Sequence, residues 1–171
     1  PPKVTVDDLM GVYLDRHRKR DDPKVRVYTQ RAFAALTAVV GDKPIDEVTR
    51  EDAHAFIDAR LVAGSKTGTV RRLLNVYRAA WTAYRREKGA TLANPFEAIQ
   101  IAGEGKDVQT RSPFAPDQLR KLYAACVAAD DDIRWLFALM VDTGARLGEV
   151  TGLAVADLHL DGPTPYVAIR E

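Results

Sequence analysis

The sequence predicts a mainly α protein: a four-helix domain, followed by the helical start of an α+β domain that is turning to strand where the chain stops. Three observations carry this reading. Apolar residues recur at steps of three and four in four successive segments up to about residue 88, the period of helices that bury one side. Each segment is bracketed by Gly, Pro or Thr/Asp signals suited to helix ends. The charge also reverses along the chain. Residues 1–102 hold 18 Lys and Arg against 13 Asp and Glu, a balance of +5; residues 103–171 hold 7 against 11, a balance of −4; together they give the net +1. Such asymmetry points to two units with different tasks. The boundary is expected in GEGKDVQTRSP (103–113), which is polar and rich in breakers, so the chain divides into 1–102, a linker at 103–113, and 114–171.

The elements follow in order. The first helix spans Val6 to about His17, with Val6, Leu9, Met10, Tyr13 and Leu14 on its apolar side. Asp21-Asp22-Pro23 stops it and starts the second, which runs to Val40 and ends at Gly41, with Val27, Phe33, Leu36, Val39 and Val40 as its expected buried side. Thr49 and Asp52 have the spacing of a capping box for a third helix carrying Ala53, Phe56, Ile57 and Leu61. Thr67 or Thr69 is placed to cap a fourth, which reaches about Lys88 and ends at Gly89. Asn94-Pro95 makes a turn. Beyond the boundary, Pro116 opens a helix through Leu119, Leu122 and Ala125, and an apolar helix follows from about Ile133 to Asp142. Tyr166 to Ile169 reads as strand.

Composition narrows the class. Hydrophobic residues at 46% and charged residues at 29% suit a packed core. The single cysteine, Cys126, forbids an internal disulfide and fits a reducing, cytoplasmic setting. No apolar run approaches the ~20 residues of a membrane span, and no signal peptide is visible. The chain begins Pro1-Pro2 without Met and stops at Glu171 inside the strand-like stretch, which is expected of a piece of a longer protein.

The fourth helix is the most informative of the first domain. Residues 60–88 contain eight Lys or Arg and one acid, Glu87. Val70, Leu73, Leu74, Tyr77, Trp81 and Tyr84 share the core side, so these aromatics are packing residues rather than platforms for bases. Arg71, Asn75, Arg78, Thr82 and Arg85 follow at steps of 4, 3, 4 and 3, a narrow stripe at ~100° per residue. Every one can bond a phosphate or a base edge. A solvated face ordinarily mixes signs, whereas this one is nearly all positive and invites a polyanion. Lys66, Thr67 and Thr69 at its start and Arg72 beside it complete the candidate contact set for double-stranded DNA. The basic run Arg16 to Arg20 suits a helix C-terminus.

TGARLGEVTGLAVADL (143–158) places Arg146 after Gly144, at the start of a short helix whose Leu147, Val150 and Leu153 are expected to form a buried face. A cation there opposes the helix dipole. Two readings stand: an ion pair with Glu149 that pins the turn, or a guanidinium that awaits an anion such as phosphate, whose oxygens its planar fork can grip in pairs.

The motif T-G-A-R-L-G-E-V-x-G-L-x-x-x-D-L resembles the first catalytic box of the tyrosine recombinases, the phage-integrase family. The segment GDKPIDEVTREDAHAFI, the Thr-led basic helix and Asn94-Pro95-Phe96 are similar to the core-binding domain of that family. The resemblance implies a four-helix, SAM-like core-binding domain at 1–102 and the truncated start of a catalytic domain at 114–171, closing in a C shape around duplex DNA. It implies that Arg146 stabilises charge on the scissile phosphate, that Glu149 supports it, and that a Tyr attacks to form a 3′-phosphotyrosine link with no cofactor or metal. It further implies phage or prophage integration, a tetramer on DNA, and a cytoplasmic, nucleoid-associated site of action.

The Lys, His-x-x-Arg, further His or Trp, and Tyr that such chemistry needs after Arg146 are absent from the sequence, so this chain is expected to bind DNA without cutting it. The H-x-x-R at His17 to Arg20 precedes Arg146 and is coincidental; Tyr166 follows it too closely to be the nucleophile. His54 and His159 read as surface or packing residues, and Asp157 as a turn or strand-entry cap. Two readings from other classes compete: a non-catalytic DNA-binding module with Arg146–Glu149 as a structural pair, and a helical adaptor with a charged rim.

Overall fold

The computed structural model describes residues 3–169. Along the chain run α1 (Val6–Arg16), α2 (Pro23–Val40), α3 (Arg50–Val62), α4 (Thr67–Lys88), α5 (Pro116–Ala129), α6 (Asp132–Thr143), α7 (Leu147–Thr151), a 3-10 turn at Val155–Asp157, and two short strands, β1 (Leu158–His159) and β2 (Tyr166–Val167). The fold is therefore mainly helical, as the periodicity requires. Two compact units divide between Thr110 and Arg111, inside the breaker-rich window.

In the first unit α1 packs on α2 and α4, and α3 closes against α2 and α4. The end signals of α2 and α3, and the stop of α4, act as the sequence predicts. Pro23 opens α2 behind an Asp22 cap, Gly41 ends it with φ 78°, and Gly89 ends α4 in the left-handed region at φ 59°. Thr49 and Asp52 exchange hydrogen bonds across the first turn of α3, and Lys43 reaches the same Asp52 carboxylate at 2.6 Å. Burial works against that carboxylate's charge, but these bonds outweigh it and hold the Asp52 pKa below the usual range.

The core is aromatic at its centre. Tyr77 meets Phe33, Phe56 and Phe96 at centroid separations of 5.7, 5.2 and 5.2 Å, and Trp81 meets Phe96 at 5.1 Å. These edge-on and tilted contacts set positive ring edges against negative faces. The Tyr77 hydroxyl donates to the Ala32 carbonyl at 2.6 Å, whereas the buried Trp81 Nε1 has no hydrogen-bond partner among the described residues. Ahead of α1, Val4 pairs with the loop after α2: Ile45 N–H donates to Val4 O and Val6 N–H to Lys43 O.

Two burial expectations need correcting here. Val27 and Val39 lie on the open side of α2; Thr29 and Ala32 take the buried positions with Phe33 and Leu36. Three- and four-residue spacing alone permits either neighbouring stripe, and packing against α3 and α4 chose the one through Ala32.

In the second unit α5 packs on α6 and α6 on α7, while β1 and β2 form an antiparallel pair with His159 stacked on Tyr166 at 4.4 Å. Few apolar side chains are enclosed: Cys126, Ala138 and Val150 are buried, whereas Ile133, Val155 and Leu160 are largely exposed. Ala125 is exposed as well. The buried face expected of α7 is not continuous: Val150 is buried, but Leu147 is 57% exposed. Asp157 is buried and its carboxylate accepts from Ala154 N–H at 2.9 Å, the capping task its position suggests.

Candidate nucleic-acid interface

Helix α4 presents its stripe in two parts. Arg78 and Asn75 are exposed, and neither side chain has a hydrogen bond or ion pair among the described residues. Lys66 is exposed just before the helix. Arg72 is exposed too, folding back to the Gly68 carbonyl at 3.2 Å. These four can meet a ligand without breaking a strong contact.

The other part is covered by the chain that returns after α4. Arg71 donates through Nε and Nη2 to the two Glu104 oxygens at 2.7 and 2.6 Å, and through Nη1 to Ile99 O at 3.0 Å. The Arg71 hydrogen bonds hold the Glu104 carboxyl below the usual range. Arg85 faces Glu97 at 3.9 Å. Thr82 is half-buried; its hydroxyl donates to Arg78 O at 2.8 Å and lies 3.3 Å from Asn94 Nδ2. The stripe is thus not the unrelieved run of positive charge that the sequence of the helix suggests, because acids from residues 97–107 neutralise one end and one side of it.

Thr67 also departs from expectation. Neither it nor Thr69 caps α4. Thr67 is the first helical residue and is buried; its N–H and hydroxyl donate to the two Asp107 oxygens at 2.6 and 2.5 Å. Asp107 is the cap, supplied from 40 positions downstream within the expected linker. The Thr67 bonds hold its carboxyl below the usual range. Thr69 is half-buried beside Arg72.

A second row of residues escaped the sequence reading. On α2, Lys24, Tyr28 and Arg31 follow at steps of 4 and 3 and line an open hollow with Val27. Tyr28 is shared with an adjoining hollow lined by Thr69, Arg72, Leu73 and Asn75 of α4. The 4–3 spacing of these three residues was a legible signal. A cationic rim around an exposed aromatic ring suits an anionic, π-faced ligand.

In the second unit Arg146 holds the cap position of α7. Its N–H donates to Glu149 Oε2 and its Nη1 to Glu149 Oε1, both at 2.7 Å. The arginine side chain is 87% exposed, so the dipole at this end is answered by water and Glu149 rather than by burial. Its Nε and Nη2 have no partner among the described residues. That free edge of a planar guanidinium can take two oxygens of an oxyanion. The Arg146 N–H and guanidinium together hold the Glu149 carboxyl below its usual range.

Tyr166 lies in β2, and His17 ends α1, accepting at Nδ1 from Lys19 N–H; neither belongs to a reactive cluster. Among the described residues no group of three His, Cys, Asp or Glu side chains is placed to hold a metal, and no helix is long and apolar enough to cross a membrane.

The fold of this chain is that of solved integrases of the tyrosine-recombinase class. The transposon Tn1549 integrase in complex with circular intermediate DNA superposes with a TM-score of 0.77 at 20% identity, over 98% of this chain and 60% of its own. A lambda integrase tetramer bound to a Holliday junction gives 0.70 at 20% identity, over 91% and 45%. A lambda integrase dimer bound to a core site gives 0.67 at 19%, over 90% and 43%. The chain therefore spans between two-fifths and three-fifths of these proteins. No family model and no curated protein matches the sequence.

Proposed function

We propose that the chain is the DNA-binding part of a site-specific tyrosine recombinase, comprising its core-binding domain and the beginning of its catalytic domain. The observation that carries this is the agreement of fold over nearly the whole chain with integrases solved on DNA. Duplex DNA lies against the exposed cations of α4 (Lys66, Arg72, Arg78) with Asn75, and against Lys24, Tyr28 and Arg31 of α2. Phosphate contacts supply the affinity there, and Asn75 is placed to reach a base edge.

In the complete enzyme Arg146 grips the non-bridging oxygens of the scissile phosphate through its free edge, while Glu149 fixes its position. Cleavage and rejoining pass through a 3′-phosphotyrosine in phage or prophage integration, in a tetramer on DNA, with no cofactor. Energy kept in that link allows strands to be exchanged.

A labelled-duplex titration at several salt concentrations tests the binding. The logarithm of affinity should fall linearly with the logarithm of salt, with a slope of about −0.9 per phosphate neutralised. Absence of binding at low salt refutes it. One observation favours a second reading, a module without chemistry: Glu149 caps Arg146 N–H and pairs with its guanidinium, as a purely structural turn would. Arg146→Ala in the full-length protein separates the two by loss or retention of the covalent protein–DNA intermediate.

A further inference from the structure

Residues 103–107 belong to the last stretch of the first unit, shortly before its boundary at Thr110, and they are tied to α4 at two points. Glu104 takes both the Nε and Nη2 donors of Arg71, and Asp107 takes the N–H and hydroxyl of Thr67. Gly105 N–H adds a third bond to the Thr67 hydroxyl at 3.1 Å. Both carboxylates offer what a DNA phosphate offers: two oxygens, negative charge, and a fit to the guanidinium fork. A phosphate and Glu104 cannot occupy the same two donors at once.

We infer that Gly103–Asp107 is an autoinhibitory clasp on α4, closed by Glu104 on Arg71 and by Asp107 on Thr67, which duplex DNA opens in order to engage Arg71. The inference rests on the DNA-binding reading of α4. Binding then has a built-in tax. The affinity at this end of the helix is the intrinsic one multiplied by the fraction of molecules whose clasp is open. By linkage, DNA on α4 releases the segment that leads into the second unit. The clasp is closed in the free protein by contacts shorter than 2.8 Å to Arg71 and Thr67.

The test is a double-mutant cycle on the whole chain, with a fluorescent 30-base-pair random duplex (length about three helical turns) as probe. Wild type, Glu104→Gln, Arg71→Ala and the double variant are titrated, with thermal melting to check each fold. Glu104→Ala gives the same readout if the Gln variant melts early. If the clasp is closed about nine-tenths of the time, Glu104→Gln binds roughly tenfold more tightly, and the gain disappears in the Arg71→Ala background. A Glu104→Gln variant that binds no more tightly than wild type overturns the clasp, as does a gain that persists without Arg71, which would be a field effect of lost charge. If none of the four proteins binds duplex at low salt, the DNA-binding reading of α4 falls and the clasp falls with it.

Discussion

Asp107 holds Thr67 by two hydrogen bonds, one to its N–H at 2.6 Å and one to its hydroxyl at 2.5 Å, across 40 positions of sequence. A helix begins with N–H groups that lack partners, and α4 satisfies its first with a carboxylate that is distant in sequence. The negative charge also sits at the positive end of the helix dipole.

Replacing Asp107 by Ala should therefore lower the melting temperature of the first unit. The effect should depend on pH in a defined direction. The Asp107 pKa is depressed in the folded chain by the Thr67 bonds, so its stabilisation is complete above the ordinary Asp value of about 3.9 and is lost as pH falls through the folded value. Melting curves of the two proteins should lie apart at pH 7 and converge in acid. A constant gap down to the folded pKa and beyond would contradict this.

Tyr77→Phe removes the hydroxyl that satisfies Ala32 O while leaving the ring contacts in place. The expected loss is about 1 kcal/mol, readable by urea denaturation with an unchanged m-value. Phe56→Ala, which empties the ring position beside Tyr77, should cost about 3–5 kcal/mol. If the hydroxyl deletion proved as costly as the ring deletion, packing would not be what dominates this core.

Among the α4 cations, exposure predicts unequal effects on duplex binding. Arg72→Ala and Arg78→Ala together should weaken affinity and reduce the salt slope by about two. Arg85→Ala, beside Glu97, should change the slope by less than Arg78→Ala does. Equal losses at Arg78 and Arg85 would show that Glu97 gives way on binding.

Arg146→Ala should leave duplex affinity of the chain within a few fold, since one exposed arginine contributes one contact. On the proposed recombinase reading, the same change in the full-length protein should nearly abolish cleavage. Glu149→Gln keeps a hydrogen-bond acceptor for the Arg146 N–H but loses the ion pair, so its cleavage should fall between those of wild type and Arg146→Ala. Gel assays of the covalent intermediate measure both.

Much of the first unit was legible in the sequence because its signals are local. Thr49 with Asp52, Pro23 behind Asp22, and the glycines at 41 and 89 each act within a turn of the residue they serve. The errors lie where distant chain decides. Nothing near Thr67 announces that Asp107 will cap its helix, and nothing in α4 reveals that Glu104 and Glu97 will cover part of its stripe. Helical spacing leaves two adjacent stripes open on α2, and it cannot tell the one that holds Val27 and Val39 from the one that packs through Ala32. In the second unit apolar character does not decide burial: Leu147 and Ile133 meet solvent. The Arg146–Glu149 pairing, three residues apart, was readable because both partners lie on one turn.

The packing of α1 on α4 bears on how the protein is made. Val6 and Leu9 are wholly buried, and the helix that helps cover them ends at Lys88. A ribosome adding about 5–20 residues per second would keep α1 waiting several seconds for that partner. Throughout that interval the apolar side of α1 has only α2 and its loop to shield it. Substitutions that speed or slow the emergence of α4 would therefore alter the yield of folded protein without altering its final stability.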